Sequence, residues 1–284
     1  MRSEKSAISH AMSSKAEDDY VLGTHEDELA RLGVQHRVWR PVVLHCWHQA
    51  GITEGNRVLD VGAGPGYATV DLAEIVGSSG QVDAVERSSN FAKAVHAACH
   101  AKSLSNVHVH ELDLMSDELP GGPYDFTWCR WVLCFVSDPD LLVKKIAAVT
   151  RKGGRAIFHE YGHYTTWRFV PRRAVLDEFV GHVVATWRES GGEPDTGLRL
   201  PEQLMENGFN IRSVTPHVFC IRPDDYMWQW PARFIDVHLD RLQELGRIDE
   251  KFAARARAEL AAAEKATASF MITPLVLEIV AEKC

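Results

Sequence analysis

Two stretches of this sequence hold residue types whose spacing could do chemistry. The first is Asp60-Val61-Gly62-Ala63-Gly64-Pro65-Gly66, in which alternate glycines let the backbone turn tightly and approach a ligand closely. Further on, Glu86 ends the run Gln81-Val82-Asp83-Ala84-Val85-Glu86, where a carboxylate can accept both hydroxyl protons of a ribose. Together they point to a nucleoside-bearing ligand. A dinucleotide fingerprint, G-x-G-x-x-G, fits poorly: counted from Gly62, the sixth position is Tyr67 and the third glycine falls one residue early, at Gly66.

The second stretch, His159-Glu160-Tyr161-Gly162-His163, satisfies the string H-E-x-x-H, which binds zinc when helical spacing puts both histidines on one face. Here it follows a turn and a β-type run, Gly153-Gly154-Arg155-Ala156-Ile157-Phe158, and Gly162 disfavours a helix. The expectation is a strand end lining a ligand pocket, with no metal. His159 or His163 is then a candidate general base, because histidine titrates near neutrality. The alternative for each is a histidine satisfied by backbone hydrogen bonds.

These residues need a frame to position them. Thr24 as N-cap and the acids that follow predict a helix, and Pro41 is expected to start a second one through Val42, Val43, Cys46 and Trp47. From Arg57 short apolar runs alternate with helical stretches, predicting strands at 57–61, 81–86, 107–112, 124–129 and 154–160 and helices at 66–76, 89–102 and 138–150. The division expected is a disordered tail over 1–19, a helical cover over 20–50 and a core over 51–160. A cap insertion over 161–199 follows, then core again over 200–223, with a helix at 200–207 and a strand region at 209–221. A second, helical cap insertion covers 224–268, and a closing strand lies within 269–284. The fold class is α/β, a mainly parallel seven-stranded sheet with helices on both faces and a helical cap.

The glycine turn after Asp60 resembles motif I of class I methyltransferases that use S-adenosyl-L-methionine (SAM), whose fold is Rossmann-like. The resemblance covers about residues 57–160. It implies that Asp60, Gly62, Ala63 and Gly64 bind SAM, that Glu86 holds its ribose, and that Arg87 lines the adenosine. It also implies that Asp113 accepts a hydrogen bond from the adenine amino group while Leu114 packs on the ring. The run Tyr124-Asp125-Phe126-Thr127-Trp128-Cys129-Arg130-Trp131 is similar to motif IV, whose strand end faces the methionine portion and the methyl acceptor. Arg130 departs from the Asn or Asp often found there, so its side chain is open to cofactor, acceptor or a neighbouring carboxylate. Tyr20-Val21-Leu22-Gly23 with Glu28, Leu32 and Gln35 is similar to the N-terminal segment of UbiE-like small-molecule methyltransferases. Tyr20 and Gln35 are candidates for the SAM carboxylate; a packed tyrosine and a surface glutamine are the alternatives.

Charge and composition narrow the partners. A net charge of -8 offers no broad cationic field for a phosphate backbone, so no nucleic acid partner is expected. Six scattered cysteines form no metal-binding spacing, no apolar run approaches the roughly 20 residues that span a bilayer, and residues 1–19 lack a secretory apolar stretch. The expectation is a cytoplasmic monomer or homodimer with no membrane partner. Aromatic residues crowd the insertions, and Trp131, Tyr161, Trp167 and Trp228 are candidates for contact with the acceptor. The activity expected is in-line transfer of a methyl group to O, N or C of a small, partly apolar or aromatic metabolite, leaving S-adenosyl-L-homocysteine. The alternatives are an NAD(P)-dependent oxidoreductase and a non-catalytic protein that keeps the SAM-binding fold.

Overall fold

The computed structural model describes residues 26–284, with side chains from residue 28 onward. The expected tail at 1–19, Tyr20 and the Thr24 cap lie outside the described residues. Seven strands form the central sheet: β1 (Arg57–Val61), β2 (Gln81–Glu86), β3 (Val107–Glu111), β4 (Tyr124–Arg130), β5 (Thr150–His163), β7 (Phe209–His217) and β10 (Leu275–Lys283). Their order is β3-β2-β1-β4-β5-β10-β7. The pairs from β3 through β5 are parallel, and β10 runs antiparallel to both its neighbours. β1 sends Val58 into one face of the sheet and Leu59 and Val61 into the other, and all three are fully buried. A parallel strand covered on both sides needs such a nearly continuous apolar run.

One face is covered by α1 (Glu26–Ala50) and α2 (Tyr67–Val76); their Trp39, Val43, Trp47 and Leu72 share a core with Val58, Trp128 and Ile157. α3 (Ser89–Ala101) lies beside β3, its N-terminus capped by the Ser88 hydroxyl, which accepts from the Phe91 N–H. The other face is covered by α4 (Pro139–Val149) and α6 (Leu200–Glu206), through Leu142, Ile146, Leu200 and Leu204. Three longer helices complete the chain: α5 (Ala174–Glu189), α7 (Gln229–Glu244) and α8 (Glu250–Lys265). They pack on one another, and α7 packs on α1, so α1 bridges the sheet and these later segments.

Three local expectations change. Pro41 starts no helix; it sits inside α1, which runs unbroken over 25 residues. Burial of Val38, Trp39, Val43, Cys46 and Trp47 along one side holds the turn together although Pro41 donates no amide. The strand region at 209–221 divides into β7 and a short β8 (Cys220–Ile221), which leaves the main sheet. With β6 (Arg168–Val170) and β9 (Phe270–Ile272) it forms a second sheet of order β6-β9-β8. Strands this short carry almost no period-2 pattern. β5 continues to His163, so H-E-x-x-H is extended backbone and its two histidines do not share a helical face.

Candidate functional site

The order of the parallel strands reverses between β1 and β4, and in open α/β sheets that point leaves a crevice beyond the strand ends. A cavity of about 390 Å³ lies there. Its walls come from the ends of β1, β2, β4 and β5, the turns after β3 and β4, and helices α1, α2, α3, α5 and α7.

The glycine turn forms one wall. Gly62 has φ +69, and a Cβ on it would stand 2.5 Å from Val132 Cγ2, so both conformation and space demand glycine. Gly64, at φ +56, faces open space, where a Cβ would meet nothing within 4 Å. Its N–H donates to Glu86 Oε2 at 2.8 Å, and the Ser88 N–H donates to Oε1 at 2.8 Å. Burial raises the Glu86 carboxyl against these two amides, which favour the charged form. Asp60 is buried beneath the turn and accepts from the Thr69 hydroxyl at 2.7 Å; burial lifts its pKa to about 6. Asp113 rims the cavity beside Leu114, accepting from the Met115 N–H at 2.7 Å and from Arg87 at 3.4 Å. Burial opposes its charge, but these donors hold the carboxyl below its ordinary value.

Across the cavity stands an aromatic wall. Trp131 lies between Tyr161 and Trp230, with ring centroids 5.5 and 5.8 Å away and planes within 17° and 16° of parallel. Its φ of +52 is a strained value for a bulky residue. Neighbouring hydrogen bonds impose it: the Trp131 N–H donates to the His159 carbonyl at 2.9 Å, and the next two amides, of Val132 and Leu133, both donate to Glu160 Oε1 at 2.8 Å. Glu160 has no exposed surface, and burial raises its pKa to about 7. Its work is to fix the loop after β4. Trp187 and Phe135, 4.7 Å apart, continue the wall, and Phe234 closes it from α7.

Of the residues expected from sequence, Gln35, Asp60, Gly62, Ala63, Gly64, Glu86, Arg87, Asp113, Leu114, Arg130, Trp131 and Tyr161 all line this cavity. The Gln35 oxygen accepts from Arg31 at 2.9 Å, and Arg31 is also paired with Glu28. The structure places four other candidates off this cavity. His159 is fully buried away from the cavity, with Nε2 3.0 Å from Glu278 Oε2, and burial lowers its pKa to about 4; it cannot take a proton from a ligand it does not meet. His163 is exposed, lies off the cavity and pairs with the Thr165 hydroxyl at 3.0 Å. Trp167 is packed in the core, its Nε1 3.0 Å from Met271 Sδ. Trp228 packs edge-on to Phe169 and donates to Glu264 at 3.2 Å. Neither tryptophan lines the cavity.

Nothing in the sequence marked Arg31 and Phe135 as cavity wall, or Glu160 as the clamp behind it, while Trp187 and Phe234 stood undistinguished among the aromatics of the insertions. Glu160 stood inside a motif that drew attention to its histidines. Arg31 follows Glu28 by one helical turn, a spacing that signals an ion pair but gives no hint of which face meets a cavity.

A family model described as a methyltransferase domain matches residues 58–154, the span from β1 to the start of β5. Over this span the chain resembles class I SAM-dependent methyltransferases, and its curated relatives include members of the UbiE group. The methyltransferase is 27% identical over 196 residues to demethylmenaquinone methyltransferase of Geobacillus kaustophilus, covering 65% of this chain and 82% of that one. It is 25% identical over 150 residues to the ubiquinone/menaquinone biosynthesis C-methyltransferase UbiE of Vibrio vulnificus, covering 52% of this chain and 55% of that protein. The solved structure of YcgJ from Bacillus subtilis shares its fold, with a TM-score of 0.56 at 17% identity over 87% of this chain and 98% of that one. SAM is the cofactor of this family, and the enzyme's activity is SAM-dependent methyl transfer to a small molecule. The oxidoreductase reading falls with that match.

Proposed function

We propose that the cavity binds SAM at its Glu86 and Asp113 end and a small, partly apolar or aromatic methyl acceptor against the Trp131 and Tyr161 wall. The observation that carries this reading is that a single cavity joins the two: carboxylates and glycine amides on one side, stacked rings on the other. The residues present fit the cofactor, since Gly64 leaves open space beside a carboxylate already held by two backbone amides. Glu86 would take the ribose hydroxyls, Asp113 the adenine amino group and Leu114 the ring, with Arg87 beside them. Asp60 would support the glycine turn from below, and Gln35 would face the amino-acid end; Tyr20 is proposed to join it there.

When bound, SAM supplies a methyl carbon activated by positive sulfur, so the chain needs no nucleophile of its own. What the chain supplies is alignment and exclusion of water. Trp131 is held rigid by its stacked neighbours and by the loop that Glu160 clamps, which fixes the wall against which an acceptor lies. Burial holds the Tyr161 phenol well above its ordinary pKa, so it stays protonated and serves as a hydrogen-bond donor, not a base. With His159 and His163 away from the cavity, the reading has no side-chain base of histidine type.

The segments at 161–199 and 224–268 are proposed to act as the cap over core segments 51–160, 200–223 and 269–284, with 20–50 as the N-terminal cover. Among the described residues no helix is long and apolar enough to cross a membrane. We further propose a cytoplasmic monomer or homodimer that acts without nucleic acid, a reading supported by the net charge of -8. Incubation with labelled-methyl SAM and fractionated small molecules tests the activity. Transfer to a flat apolar or aromatic compound is expected, with the acceptor KM raised about 10-fold or more by Trp187→Ala, a truncation that removes a large contact, and SAM affinity unchanged. Transfer only to strongly charged hydrophilic compounds, or an unchanged KM, would contradict the assignment of this wall.

A further inference from the structure

Arg130 ends β4 and lines the cavity, where an Asn or Asp is common. Its guanidinium sits between Trp128 and Trp131, with Cζ 5.9 and 5.2 Å from their ring centroids. Nη2 donates to His36 Nδ1 at 3.3 Å. Neutral His36 then carries its proton on Nε2 and donates to Asp71 Oδ2 at 3.0 Å, while Asp71 is held in turn by Arg40 at 2.7 Å. The relay fixes the orientation of Arg130 but brings it no negative partner: its direct acceptor is an uncharged imidazole. Nη1 neither reaches solvent nor finds an acceptor among the described residues.

A guanidinium withdrawn from water without an anion is costly, and burial lowers the Arg130 pKa to about 10. Asp60 acts on it electrostatically, yet no ion pair joins the two among the described residues. Arg130 and Asp60 thus place opposite charges near one another at the ends of adjacent strands β4 and β1, beside the glycine turn. That pattern complements a zwitterion, carboxylate toward Arg130 and ammonium toward Asp60.

We propose that Arg130 binds the α-carboxylate of the cofactor's amino-acid end, with His36 as a positioning residue, and that this contact sets the enzyme's preference for SAM over donors lacking the carboxylate. The inference rests on the proposal that SAM occupies this cavity. The acceptor is a less fitting source of the anion, because the wall it would meet is built from rings, whereas Arg130 ends the strand beside β1 and its glycine turn.

Decarboxylated SAM, which keeps the adenosine, the sulfonium and the amine, isolates the contact. Calorimetry on the wild-type protein is expected to show SAM binding roughly 10- to 100-fold more tightly than decarboxylated SAM, the range for charge-assisted hydrogen bonds. Arg130→Gln should bring the two affinities within about 3-fold by weakening SAM alone, and Arg130→Lys should restore part of the difference. Should Arg130→Gln lack a cooperative melt, His36→Leu gives the second reading, with the SAM preference expected to shrink several-fold. A preference retained in both variants, or affinities for both ligands that fall together, overturns the inference. Wild-type protein that binds both ligands equally also overturns it while leaving the cavity's assignment to SAM intact; wild-type protein that binds neither removes both.

Discussion

Glu86 shows what one carboxylate contributes when the backbone holds it in place. Two amides already orient it, so Glu86→Ala should weaken SAM binding by about 1–3 kcal/mol with little change in the melting temperature, as calorimetry and thermal denaturation would show. An unchanged affinity would rule out the ribose role. Glu160 gives a prediction about pH. Its folded pKa of about 7 lies above the ordinary glutamate value, so the folded state holds the proton more tightly than the unfolded chain does. The stability this brings is complete below about pH 4.5 and is lost as pH rises through about 7. Glu160→Gln stays neutral, so relative to it the wild type should lose on the order of 1–3 kcal/mol between pH 4.5 and 8 in urea titrations. Parallel profiles for the two proteins would show that Glu160 does not titrate in this window. Glu86 and the glycines were readable in the sequence because their roles depend on local backbone. Glu160, and the His36–Asp71 relay behind Arg130, depend on partners 27 to 94 positions away, which no local pattern reveals.

At the scale of elements, the strands and helices from 57 to 149 follow the sequence pattern closely because each βα unit pairs a short apolar run with an amphipathic helix and a turn. The exceptions occur where tertiary burial outweighs local preference. Pro41 is such a case: it is exposed on α1 and donates no amide, and the helix continues because the opposite side is buried. Pro41→Ala should therefore stabilise the protein, by roughly 1–3 kcal/mol, since alanine restores the amide and relieves the clash with the preceding turn. Chemical denaturation would check it, and a loss of stability would mean that the preset φ of proline outweighs the missing bond. The short strands β6, β8 and β9 were not readable: two or three residues cannot express a period, and their pairing partners lie 50 or more positions apart.

For the whole molecule, the sheet brings the ends of β1, β2 and β4 to one crevice, and the loop after β4, the end of β5 and the helices that follow supply its aromatic side. The order Asp60, Glu86, Asp113 in the sequence pointed to residues that the fold gathers at one end of the cavity, the end proposed to hold the methyl donor. The aromatic wall was readable only in part: Trp131 and Tyr161 line the cavity as expected, but a tryptophan in an insertion reads alike whether it lines a cavity, as Trp187 does, or fills a core, as Trp167 and Trp228 do. The most direct test of the account is a calorimetric titration of the full chain with SAM, S-adenosyl-L-homocysteine and NADH. The account predicts saturable binding of SAM and its product at one site per chain, lost or weakened in Glu86→Ala, and no heat from NADH. Saturable binding of NADH with no response to SAM would contradict it.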